Sequence, residues 1–231
     1  MASFQAVYYR APDGSEPVRE LLQSLECKRR VSLLHQIARL NLLSDQVRHL
    51  PSPHSSPVDG ELRELRHSGA ERYRHVLYRR SGELFVLLHA YRKTPGVPTS
   101  EFDIARTRWL DFQSRNDPSP IGSSVAEDID ASLEDAEFRS EHERLAPCEA
   151  VAQLVIMRRG GLGFSQHRLA RHMHSTPSAI SRIESGQHGT NARTLIRLAE
   201  ALEARAVIGF DYGQTAIPQR ELVALSNALW R

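Results

Sequence analysis

The stretch LYRRSGELFVLLHAYRK, residues 77–93, decides the fold. Two runs rich in aliphatic, aromatic and β-branched residues flank Ser81-Gly82, a two-residue turn signal, so the segment reads as a β-hairpin. Upstream, ELRELR (61–66) reads as a further short strand, and FQAVYYR (4–10) alternates well enough for another. Between these lie two helices. Ser15 is positioned to cap EPVRELLQSL, with Pro17 in its opening turn. KRRVSLLHQIARLNLL (28–43) repeats Val31, Leu34, Ile37 and Leu40 on one face. A helix over EFDIARTRWLDFQ, capped by Thr99 or Ser100, closes the unit. The order strand, helix, helix, three strands, helix predicts an α+β domain over residues 1–115 with a mainly antiparallel sheet.

The 231 residues suffice for two small domains, and 40% hydrophobic with 25% charged residues is ordinary for a globular protein. The longest apolar runs, such as LFVLL, are too short to span a bilayer, so no membrane association is expected. MASFQAVYYR has no basic start followed by an apolar stretch, so no secretory signal is expected and the predicted location is cytoplasmic. Cys27 and Cys148 have neither metal-site spacing nor a disulfide pattern, and neither a metal nor a cofactor is predicted. The net charge of +2 is unevenly spread: +4 over residues 1–112, −6 over 113–145 and +4 over 146–231. Basic blocks suit nucleic acid, and an acidic segment between them can cover one of them or serve as a solvated linker.

That acidic segment also marks a boundary. QSRNDPSPIGSS (113–124) holds two prolines and a glycine without apolar periodicity, and reads as an exposed, flexible linker. The following residues place Val125, Ile129, Leu133 and Phe138 about four apart, as in short helical turns that need a surface to lie on. Residues 116–145 are therefore expected to form an acidic connector.

Residues 146–231 are expected to form an all-α domain, apart from a strand at AVIGFD, with a last helix at the C-terminus. CEAVAQLVIMRRG gives a first helix with Val151, Leu154 and Val155 inward. Ser165 caps GFSQHRLARHM, where Leu169 and Ala170 face the core. Thr176 caps a further helix that Pro177 opens, with Ile180 and Ile183 inward. TNARTLIRLAEALE presents Leu195, Leu198, Ala199 and Leu202 to the core.

At these residues two resemblances become visible. ELRELR, YRHVLYRR and GELFVLLHAYRKTP resemble the HigB branch of the RelE/ParE toxin superfamily, in its phage-derived form, across nearly all of residues 3–115. The resemblance implies metal-independent cleavage of messenger RNA on the ribosome, by attack of a ribose 2′-hydroxyl on the adjacent phosphate. Arg66, Arg74, Arg92 and Lys93 are placed to stabilise the negative charge of such a transition state, with His89 and Tyr91 on one strand face for proton transfer. The sequence departs from the pattern at Ala90, where the family has glycine, and in a shorter cationic run, RKTPGVP. Both changes fall on the edge that would hold RNA.

The second half, above all SAISRIESG (178–186), resembles the Cro/repressor-like helix-turn-helix of HigA-type antitoxins. That implies operator DNA as a partner and a homodimer on a palindromic site. With Ile180 and Ile183 inward, Thr176, Ser178, Ser181 and Arg182 are left for DNA. Arg182 suits guanine O6/N7 and Ser178 a base or phosphate, while Gln166 is positioned to reach phosphate. Pro177 replaces a residue that is often a base-reading glutamine, and His174 a turn glycine at a position that commonly takes positive φ.

Together the halves imply a fused toxin–antitoxin protein whose ribosome-dependent nuclease half is neutralised. Two other readings stay open: a transcriptional regulator whose toxin-like domain is catalytically dead and serves as an interaction module, and a nuclease masked until the connector is cut. The connector is expected to lie across the first domain, with acidic side chains from Glu127 to Glu143 near Arg66, Arg74 and Arg92.

Overall fold

The computed structural model describes residues 4–45, 47–66, 74–92, 99–211 and 220–225, with backbone alone for Arg74, Thr99, 208–211 and 220–225. A six-stranded sheet in the order β2-β3-β4-β5-β1-β6 organises the first half. Its strands are β1 (Gln5–Tyr9), β2 (Ser55–Asp59), β3 (Leu62–Arg66), β4 (Arg74–Ser81), β5 (Leu84–Arg92) and β6 (Ile121–Ser124). β1 runs parallel to β5 and every other pairing is antiparallel. The hairpin turn falls one residue later than the sequence suggests, at Gly82-Glu83, where Gly82 takes φ 59.

Helices α1 (Pro17–Gln23) and α2 (Cys27–Ala38), with a 3-10 turn at Arg39–Leu42, cover one sheet face. Val31, Leu34, Ile37 and Leu40 are fully buried there against Ala6, Tyr8, Val76, Tyr78, Phe85 and Leu87. The expected cap of α1 does not form: the N-cap position is Glu16, without a side-chain cap, and the Ser15 hydroxyl donates to Asp13 instead. Helix α3 (Thr99–Ser114) covers the opposite face, where Ala105 and Trp109 pack on Val7, Tyr9, Leu77, Val86 and Leu88.

The stretch expected to be a flexible linker is not one. Ile121–Ser124 forms β6 and pairs with β1, and Arg115 donates to Asp111, to the Pro118 carbonyl and to the Arg10 carbonyl. The proline-rich composition hid a strand that draws its pairing from a distant partner.

Next come α4 (Val125–Ser132), opened by a reciprocal Ser124–Glu127 capping box, and α5 (Ala136–Gly161), capped by Asp135. Val125, Phe138, Leu145, Ala152 and Ile156 from these helices belong to the same core cluster as α1 and α2. The connector thus lies on the first domain, but on its helical face. Asp128, 1% exposed, accepts from the Tyr8 hydroxyl at 2.8 Å and pairs with Arg19 at 3.2 Å and Arg30 at 3.5 Å. The Arg30 guanidinium also sits over the Phe138 ring. Its acidic anchor therefore meets Arg19 and Arg30 rather than Arg66 and Arg92 as expected, because the apolar positions four apart pack against the core beside α2; the expected contact with Arg74 falls on a side chain outside the described residues.

Helices α6 (Gln166–His172), α7 (Pro177–Glu184) and α8 (Ala192–Ala201) complete the second half with the hairpin β7 (Ala206–Asp211) and β8 (Arg220–Leu225). Their core gathers Val155, Leu169, Ala170, Met173, Ile180, Leu198 and Leu202. Leu154, expected inward, is 73% exposed, since the inward face of α5 runs through Ala152, Val155, Ile156 and Arg159. After β7, where a last helix was expected at the C-terminus, Arg220–Leu225 forms a strand, and 226–231 lie outside the described residues. No helix among the described residues is long and apolar enough to cross a membrane.

Candidate functional site

Two candidate sites emerge, one at the end of the sheet and one on α7. At the sheet end, register sets Arg66 opposite His75 and Arg74 opposite Arg92, bringing these strand positions together. The side chain of Arg74, and Lys93 altogether, lie outside the described residues.

A β-bulge between Leu77 and Tyr78 on β4, with Leu88 unpaired on β5, shifts the alternation of β5. Leu88 and His89 consequently both meet the α3 side, and His89 stacks on Tyr91 with ring centroids 6.2 Å apart and planes 9° apart. His89 Nε2 donates to Glu101 at 2.5 Å, while its Nδ1 accepts from Arg108 at 3.1 Å. Burial lowers the His89 pKa, against the opposing pull of Glu101, so the ring is neutral at neutral pH.

Beside it, Glu64 is buried and accepts from the Tyr91 hydroxyl at 2.6 Å, from Arg66 Nε at 3.0 Å and from His75 Nδ1. Desolvation works to raise the Glu64 pKa. The bonds from His75, Tyr91 and Arg66 outweigh it and hold the carboxyl at about 2. Burial and the Glu64 carboxylate push the Tyr91 hydroxyl above its ordinary range. The arrangement is a charged carboxylate with three donors: Arg66 is ion-paired to it, and the Tyr91 proton is directed at it. Glu64, His75, Glu101 and Arg108 were not singled out in the sequence. For Glu64 a signal existed, since alternation in ELRELR sets it on the same strand face as Arg66.

On α7 the geometry is that of a capped helix with an exposed start. Thr176 is its N-cap, accepting from Ala179 N at 3.2 Å and sharing a 3.0 Å hydrogen bond with Ser178. Thr176, Ser178 and Arg182 are exposed and Ser181 is half-buried, while Ile180 is fully buried. His174 takes φ 47 in the turn before α7, where Arg197 donates to the Met173 and His174 carbonyls. A histidine thus occupies the left-handed position that glycine would adopt freely.

Gln166 is half-buried at the start of α6. Its amide donates to Glu184 at 2.7 Å. Glu184, fully buried at the end of α7, also receives Arg159 at 2.5 and 2.9 Å and His54 Nε2 at 2.7 Å. Arg39 binds Glu149 through two hydrogen bonds, 2.7 and 2.6 Å. These buried groups join the two halves, and the sequence reading did not find them. Among the described residues no group of three His, Cys, Asp or Glu is arranged to hold a metal ion.

Three helices around a short turn, with the exposed start of α7 aimed outward, define a helix-turn-helix protein joined to an α+β domain. Residues 156–205 match the family described as Helix-turn-helix, and residues 20–110 the one described as Phage derived protein Gp49-like (DUF891). The chain therefore joins a Gp49-like domain, of the phage-derived RelE/HigB toxin type, to a DNA-binding domain of the Cro/repressor type. No curated protein matches the chain.

Proposed function

We propose that the chain is a toxin–antitoxin fusion that binds its own operator as a homodimer and represses its transcription, with a ribosome-dependent nuclease fold kept silent inside the full chain. One observation carries this reading. The start of α7 is open to solvent, whereas its end, together with α4 and α5, is built into the first domain. DNA reading thereby stays available while the toxin-like domain is held. In the released domain, Arg66, Arg74 and Lys93 would stabilise the charge gathering on phosphate, with His89 and Tyr91 next to the reacting oxygens. Operator and ribosome both assign its work to the cytoplasm.

A second reading is favoured by Glu64. An ionised carboxylate beside Arg66 and Tyr91 repels a phosphodiester, which suits a regulator whose first domain is catalytically inert.

The DNA half is tested by selecting sites for the full chain from a randomised duplex library. Arg182→Ala should cost about 1–3 kcal/mol on the selected site and relax one base position. A full chain that selects no sequence would refute the DNA-reading function. For the RNA half, the full chain carrying Phe138→Ala, which loosens α5 from α2, should cleave messages in a translation extract where the unaltered chain does not. Failure of the loosened chain to cleave favours the inert module.

A further inference from the structure

Helix α7 is clamped at its C-terminal end, opposite Thr176 and Ser178 and just beyond Arg182, and part of the clamp belongs to the other domain. Within the helix-turn-helix domain, Arg159 and Gln166 hold Glu184. From the Gp49-like domain, His54 Nε2 donates to the same carboxylate at 2.7 Å, and the Ser52 carbonyl accepts from Arg159 Nη2 at 3.2 Å. His54, Arg159 and Glu184 are each at most 1% exposed. The turn that follows is gripped as well. Gly186, at φ 70, lies so close that a Cβ there would stand 2.3 Å from Glu149 Oε2 and 3.2 Å from Arg39 Nη2. Gln187 then donates to Ser32 on α2 at 2.9 Å.

We propose that His54, a residue of the Gp49-like domain, is a positioning residue for DNA reading, fixing the axis of α7 through Glu184. The inference rests on the DNA-reading half of the proposed function and adds a partner to it from the opposite half of the chain. A helix of eight residues is about 12 Å long, so a change of tilt at Glu184 displaces Thr176 and Ser178 at the far end. Ile180 holds the middle of the helix and the partly buried Ile183 its last turn on the domain's own core, while Glu184 seats the end in the polar cluster. Buried ionic groups keep their geometry only while every donor is in place, and one of these donors is supplied by docking. Coupling is reciprocal: a duplex that fixes α7 tightens the docking of the Gp49-like domain, and docking raises affinity for the duplex.

The experiment uses the full chain with three substitutions on the Gp49-like side, none facing DNA. His54→Ala removes the donor, and His54→Gln keeps an N–H near the position of Nε2. Ser32→Leu wedges the docking surface beneath Gln187 without touching the Glu184 cluster. Hydrogen exchange through 177–187 is measured without DNA, and affinity is measured on the site selected by the unaltered chain. His54→Ala and Ser32→Leu should each speed exchange in α7 and weaken binding about fivefold or more, with base preference kept, and His54→Gln should restore most of both. Unchanged exchange and affinity in both Ser32→Leu and His54→Ala would overturn the inference. Faster exchange in a chain that selects no DNA at all would sustain the positioning of α7 and overturn the DNA-reading function instead.

Discussion

Replacing Glu184 by Gln isolates the charge that holds the two halves together. Burial works to raise the Glu184 pKa, yet the bonds from His54 and Arg159 outweigh it and hold the group at about 2, against an ordinary value of 4.5. A carboxyl depressed on folding stabilises the folded state above its unfolded pKa, and that contribution is lost as pH falls from 4.5 toward 2. The full span corresponds to about 3 kcal/mol, of which about 2 kcal/mol is gone by pH 3. Glu64, also held at about 2, adds the same slope to both proteins and cancels in the comparison. At neutral pH the substitution leaves Arg159, 1% exposed, without its counter-charge, which should cost about 3–5 kcal/mol. Urea unfolding of the full chain at pH 7, 5 and 3 reads both quantities. The unaltered chain should lose about 2 kcal/mol more than the Glu184→Gln chain between pH 5 and 3. Parallel losses would mean that Glu184 is not an ionised group of depressed pKa, and the electrostatic account of the joint would be wrong.

Phe138→Ala removes a ring that is 2% exposed beneath Arg30, and should cost about 3–5 kcal/mol in urea unfolding while speeding exchange across 136–145 and α2. An effect below about 1 kcal/mol would show that the connector is not part of the first domain's core. Glu64→Gln removes the carboxylate that raises the Tyr91 pKa, so one tyrosine should ionise at lower pH in an ultraviolet titration of the full chain. No tyrosine shifting would mean that the Tyr91 hydroxyl is not bound to Glu64.

Local pattern was enough for most elements. The face Val31, Leu34, Ile37, Leu40 could be read from spacing, as could the caps at Ser165 and Thr176 and the positive φ at His174. What escaped depended on partners far along the chain. Ile121–Ser124 has no strand composition and becomes one only because β1 offers a free edge. Asp128 stood in the sequence as one acid of a charged run with nothing to mark it from the rest, yet it is buried among Tyr8, Arg19 and Arg30, over 90 residues away in sequence. The candidate sites show the same division. His89 and Tyr91 share a face, and alternation sets Glu64 with Arg66, but Glu101 and Arg108 entered only once β5 and α3 were packed together. His54 and Glu184 stand 130 residues apart, and no local pattern joins them.

The sheet is closed differently at its two margins. β2, at one margin, carries Pro57 and an irregular register before Asp59, both poor templates for a further strand. β1 has no proline, though its pairing with β6 is irregular between Val7 and Tyr9; four of its five residues, Ala6 to Tyr9, are buried, and the short β6 stands between it and solvent. A chain severed before Ile121 would uncover an apolar strand whose backbone groups facing β6 lose their partners. Such an edge recruits other strands, so the fragment should associate with copies of itself and be drawn into insoluble material. Four residues of plain composition, IGSS, thus cap the edge of the first domain's sheet, and the cover comes from the segment that leads into the second.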